Sequence, residues 1–184
     1  MRIVGVDPGL ANLGLGAIEA EGSAVRHVGS ELVRTRASDG EGVRLAAIHD
    51  AFDAFLDTHR PAAVALEGQF FHRQRETSLK VGQALGVIVL CAHRRGAPTF
   101  SYGPLQVKQT LVGTGRADKA QVAYMVRALL GMPSAPEHHH VSDALALALT
   151  HWSSHRLNAS GAALRAADAA APSPSGRRRR RGGA

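Results

Sequence analysis

Hydrophobic positions follow two rhythms along this chain. Short apolar runs at residues 2–7, 13–19 and 24–34, the last two joined by a turn at Glu21-Gly22-Ser23, predict three strands. From Glu41 to His59 the spacing lengthens, and Val43, Ala47, Phe52, Phe55 and Leu56 approximate one helical stripe. Pro61 then introduces AAVALE, a fourth strand ending at Glu67. A long helix near 77–94, a short strand at 98–102 and helices near 104–111 and 118–131 follow. Ser134-Ala135-Pro136-Glu137 has capping-box spacing and predicts the start of a last helix, with Val141, Leu145, Ala148 and Trp152 on its apolar stripe. This order predicts an α/β fold, a central mixed five-stranded sheet flanked by helices, without internal repeats.

Composition narrows the class. With 184 residues and 45% hydrophobic content, the chain is long enough for one globular domain with a real core. The apolar run Val81–Ala92 is too short to span a bilayer, which needs about 20 residues. MRIVGVD reads as a strand and lacks the layout of a signal peptide. A lone Cys91 excludes an internal disulfide and fits a reducing compartment. A cytoplasmic protein that does not enter the membrane is the expectation. The net charge is +7, yet five of those charges are the consecutive Arg177–Arg181. The Pro/Ser/Gly/Ala-rich stretch before them has no sustained apolar period, so the chain divides into a folded domain, 1–157, and a disordered basic tail, 158–184. Such a tail serves either solubility or general attraction to nucleic acid.

The chemistry concentrates at strand ends. Asp7 closes IVGVD and Glu67 closes AVALE, each followed by a turn, and α/β sheets bind ligands at that rim. If the two strands are neighbours, two carboxylates stand side by side, which requires a proton or a cation between them. Asp143 lies off the apolar stripe of the last helix. His139 and His140 precede it by four and three residues, so either can share its face. Three carboxylates with one imidazole suit a hard divalent cation, with Mn²⁺ better accommodated than by carboxylates alone. His138–His140 are too close in sequence for all three to grip one ion, as closed zinc sites demand.

Four stretches, GVDPG, ALEGQFF, QVKQTLVGTGRADKAQV and HHHVSDALALALTHW, resemble the RuvC family of Holliday-junction resolvases over about residues 1–155. The resemblance implies a ribonuclease H-like fold and a homodimer, with cooperation of the RuvA–RuvB branch-migration complex. It also implies paired nicks in a four-way DNA junction that leave 5′-phosphate and 3′-hydroxyl ends. Asp7, Glu67, His140 and Asp143 then become the catalytic residues and the ligands of two divalent ions per subunit, Mg²⁺ or Mn²⁺. His140 falls where many members carry a fourth acid. Of the neighbouring histidines, His138 and His139 are expected to stay outside the metal site.

Lys108 and Lys119 match basic positions of that family and are expected to grip phosphates. Only Lys80 accompanies them in a chain that otherwise uses arginine. Phe70, Arg73 and Arg75, in the loop after Glu67, combine stacking and phosphate contact suited to unpaired DNA. Phe70 aligns with the family's junction-probing aromatic. Gly82 and Gly86 lie one turn apart in the long helix and mark either a dimer seam or a buried central helix. Two other activities stay open: a ribonuclease H-like nuclease on RNA–DNA hybrids, and an actin-like ATPase whose phosphate loop DPGLANLGLG would resemble. A catalytically inert DNA-binding protein leaves four candidate ligands on three elements without a purpose.

Overall fold

The computed structural model describes residues 1–68 and 75–170, with side chains described at 1–68 and 78–158. Five strands form one sheet: β1 (Arg2–Asp7), β2 (Asn12–Glu21), β3 (Ala24–Arg34), β4 (Ala63–Glu67) and β5 (Thr99–Tyr102). Their order is β3-β2-β1-β4-β5. The hairpin-linked β1, β2 and β3 pair antiparallel, while β4 and β5 join β1 in parallel, each after a helical crossover. The mixed five-stranded sheet expected from the hydrophobic rhythm is what forms.

The helices are α1 (Glu41–His59), α2 (Arg75–Arg94), α3 (Pro104–Val112), α4 (Lys119–Leu129) and α5 (His139–Ala170). Strand alternation sorts them into two layers. Val4, Val6, Leu13, Leu15, Val64 and Leu66 point into a core with Ile48, Phe52 and Phe55 of α1 and Ala84 and Ile88 of α2. Ile3 and Ile18 point the other way, into a core with Val122 and Val126 of α4 and Val141, Leu145, Leu149 and Trp152 of α5.

Three expectations need correction. Val43 and Ala47 are exposed, and the buried stripe of α1 runs through Ile48, Phe52, Phe55 and Leu56. The last helix starts at His139, not at Ser134. A residue before proline is disfavoured in the helical region, which weighs against Ala135 in a first turn, and residues 134–138 form bends and irregular backbone. The same helix is assigned through Ala170, past the point where regular structure was expected to stop. Alanine has the highest helix propensity, so an Ala-rich segment takes helical backbone without an apolar stripe. The arginine run lies outside the described residues. Residues 1–153 and 154–184 are separate compact units, and every site residue discussed below belongs to the first.

Candidate active site

Two strands deliver the acids. Because Val4 and Val6 face α1 and α2, Asp7 emerges with Ile3 and Gly5 on the α5 side of β1. In β4, Val64 and Leu66 face α1 and α2, while Ala65 packs with Leu147 of α5. Glu67 therefore leaves on the α5 side as well. The parallel register pairs Gly5 with Ala65 and Val6 with Leu66, and one further step sets Asp7 beside Glu67.

Glycines bring the helix down onto these strands. A methyl group at Gly5 would overlap the Ala144 carbonyl, one at Gly14 the His140 carbonyl, and one at Gly16 the Leu145 side chain. α5 consequently runs at close backbone contact with β1 and β2. Its first turns overhang the strand ends and bring His140 and Asp143 to the two acids. Asp7, Glu67, His140 and Asp143 all line one cavity of about 340 Å³. Gly14 and Gly16 of DPGLANLGLG serve this packing, and the space a phosphate would need against them is filled by α5.

The same cavity is edged by Lys108 of α3 and Lys119 of α4. Pro104 sits in the first turn of α3, where its missing N–H costs nothing, and Gly113 closes that helix in a left-handed conformation. Lys119 is held at the first position of α4 by a capping box: Asp118 accepts from the Gln121 N–H at 2.8 Å, and Gln121 accepts from the Asp118 N–H at 2.9 Å. The signal was present in the sequence as Asp-x-x-Gln. Lys119 Nζ stands 3.5 Å from Asp143 Oδ2, a loose and exposed pair that a phosphate can replace.

Electrostatics in the cavity are unfavourable to its own charges. Burial pushes the Asp7 carboxyl above its ordinary range; the His140 hydrogen bond opposes this, and the Asp143 charge adds to it. Glu67 is raised first by burial and then by Asp7 and Asp143, with Lys119 opposing. His140 Nδ1 is hydrogen-bonded to Asp7 Oδ2 at 2.6 Å, which leaves Nε2 outside that bond. Among the described residues no group of three or more His, Cys, Asp or Glu side chains is arranged to hold a metal ion as it stands. Asp7 is engaged by His140 and Asp143 by Lys119, and rotation between staggered rotamers frees both. The donor set nonetheless fits a divalent cation. A second positive charge is what relieves carboxylates raised by burial and by each other.

The histidine triplet divides. His138 Nε2 lies 3.2 Å from Arg34 Nη2, beside the end of β3. His139 is exposed, lines the cavity and packs its ring on His140 with centroids 4.1 Å apart. Phe70 and Arg73 lie outside the described residues. Arg75 opens α2, but its side chain is not among those described.

Residues 3–151 match the family model for crossover junction endodeoxyribonuclease RuvC. A curated relative from Thermus thermophilus, named crossover junction endodeoxyribonuclease RuvC, is 46% identical over 82% of this chain and 93% of its own length. The solved structure described as T. thermophilus RuvC in complex with Holliday junction substrate superposes with a TM-score of 0.83 at 43% identity, covering 86% of this chain and 96% of that one. The yeast mitochondrial Holliday junction resolvase Ydc2 superposes with a TM-score of 0.61 at 12% identity, covering 89% of this chain and 85% of that one, a likeness of fold alone.

Proposed function

The chain belongs to the RuvC family of crossover junction endodeoxyribonucleases, and we propose that it cuts four-way DNA junctions in the cavity where β1 and β4 end beneath the start of α5. It is a nuclease of recombination with a ribonuclease H-like fold. The observation that carries the site is the convergence of Asp7, Glu67, His140 and Asp143, from three elements, on one cavity edged by two lysines.

Each residue takes a role from its position. Asp7, Glu67 and Asp143, with His140, hold two divalent cations, Mg²⁺ or Mn²⁺. When bound, the cations lower the pKa of the attacking water and offset charge on the leaving 3′-oxygen. Lys108 and Lys119 hold the backbone phosphates flanking the scissile bond, with Lys119 exchanging Asp143 for phosphate. His140 keeps Asp7 oriented through Nδ1 and offers Nε2 to the cavity's chemistry. Phe70, Arg73 and Arg75 contact the opened junction. Cleavage leaves 5′-phosphate and 3′-hydroxyl ends.

Paired nicks require two such cavities. α2 offers the surface for a homodimer: Gly82 and Gly86 are exposed, a methyl at either meets nothing, and Leu79, Val89 and Leu90 are exposed on the same helix. Membership of the family supports RuvA and RuvB as branch-migration partners and work in the cytoplasm. No described helix is long and apolar enough to cross a membrane. The Arg177–Arg181 run adds general attraction to DNA without choice of sequence.

Incubation with a four-way junction, a linear duplex and an RNA–DNA hybrid in Mn²⁺ or Mg²⁺ tests the reading. Symmetrical paired nicks confined to the junction are expected. Cleavage of the hybrid in preference to the junction would favour the ribonuclease H alternative instead.

A further inference from the structure

Two turns below Asp143, α5 carries a polar side chain with no part in the site described above. His151 is 4% exposed, and its Nδ1 shares a 2.6 Å hydrogen bond with the hydroxyl of Tyr102, itself 8% exposed. Phe100 covers the imidazole with ring centroids 4.5 Å apart. Burying polar groups is unfavourable unless they are hydrogen-bonded, so the Tyr102–His151 bond favours the arrangement of the elements that preserves it.

Those elements are the ones that carry the acids. Asp143, Leu147 and His151 recur every four residues along one face of α5, and Leu147 packs on Ala65 and Tyr102. Tyr102 is also the strand partner of Glu67, and its carbonyl accepts from the Gly68 N–H at 2.9 Å. One residue thus grips the end of β4 through its backbone and α5 through its side chain. The need for such a grip follows from the floor beneath the helix. Gly5, Gly14, Gly16 and Ala65 have few side-chain ridges to interlock with α5 and set its rotation.

The geometry points to Tyr102 and His151 as positioning residues that fix the rotation of α5 and with it the placement of Asp143 and His140 over Asp7 and Glu67. This rests on the reading of those four residues as the metal site. Neither residue lines the cavity, so the pair acts through the acids.

The test uses the full chain and its Tyr102→Phe, His151→Leu, His151→Asn and Tyr102→Phe/His151→Leu variants. Mn²⁺ binding to the DNA-free protein is measured by calorimetry, melting temperature and junction affinity in chelator, and cleavage against Mn²⁺ concentration. Tyr102→Phe is expected to weaken Mn²⁺ binding about tenfold and to raise the Mn²⁺ needed for half-maximal cleavage by the same factor. Junction affinity in chelator stays unchanged. The double variant is expected to lose less than the sum of the two single losses, because both remove the Tyr102–His151 bond. His151→Asn, which retains a polar atom near the Nδ1 position, recovers part of the loss. Unchanged Mn²⁺ affinity in Tyr102→Phe, whether or not its melting temperature falls, overturns the proposal. Asp7→Asn run in parallel separates the two claims: if it binds Mn²⁺ like the parent, the metal-site reading fails, whereas weakened binding there with none in Tyr102→Phe counts against the pair alone.

Discussion

On the α1/α2 face of the sheet, Val4, Val6, Leu13, Leu15, Val64 and Leu66 meet Ile48, Phe52 and Phe55 in a deep aliphatic and aromatic layer. On the α5 face the same three strands offer Gly5, Gly14, Gly16 and Ala65 near the acids, and a helix lies almost directly on their backbone. The first arrangement buries much apolar area per residue. The second buries less at that point but determines where α5 begins relative to Asp7. Near the acids the α5 side therefore contributes mainly position, while farther along it Ile3, Ile18, Leu145, Leu149 and Trp152 form a core of their own. β1 serves both faces through simple alternation along six residues.

The sharpest break in that comparison is Asp7→Asn. Cleavage is expected to fall to background while junction binding in chelator persists. Melting temperature in chelator should rise, since the substitution removes a carboxylate that burial holds above its ordinary pKa. Activity near the parent level would contradict the site. A fall in melting temperature would contradict the reading that burying the Asp7 carboxylate costs stability.

Next in size is Phe52→Ala, on the opposite face. A fully buried ring lost from a packed core costs about 3–5 kcal/mol. Below its lowered melting temperature the variant should require the same Mn²⁺ concentration as the parent. Gly14→Ala is the counterpart on the α5 face. Its methyl displaces the first turn of α5 at a cost of about 1–3 kcal/mol. Cleavage should fall far more than that loss of stability explains. If the two variants lose stability and activity in the same proportion, the division between faces is wrong.

His140→Asp makes a smaller change, in ion preference rather than in fold. With only carboxylates present, the ratio of cleavage in Mg²⁺ to cleavage in Mn²⁺ should rise. An unchanged ratio would remove His140 from the ligand set.

Acid should act on the two faces in opposite directions, the smallest effect of the series. Asp7 and Glu67 have raised folded-state values, so their contribution is present below the ordinary carboxylate range and is lost as pH rises through the raised values. Asp53, on α1, is held down to about 2 by Arg95, whose Nε and Nη2 lie 2.6 and 2.5 Å from its oxygens. Its contribution is present above the ordinary range and is lost as pH falls toward about 2. Melting in chelator across the acid range reads both. Asp53→Asn should remove part of the acid loss and Asp7→Asn part of the loss on raising pH, and identical profiles for the two variants would refute the assignment.

Much of this protein was legible one segment at a time. Alternation located the strands, and a polar residue closing an apolar run marked Asp7 and Glu67, because strand geometry and rim placement are local consequences of residue type. The apolar stripe Val141, Leu145, Ala148 and Trp152 was likewise local, and all four are buried. What tertiary structure alone decided are relations between distant residues. The His140–Asp7 bond joins positions 133 apart and the Tyr102–His151 bond positions 49 apart. Neither end of such a bond carries a sign of its partner: a histidine on a helix and a tyrosine at a strand end have ordinary local reasons to be there. Gly14 and Gly16 left the phosphate-loop alternative open for the same reason, since a missing side chain suits a bound phosphate and a close helix equally, and only the packed helix shows which one fills the space.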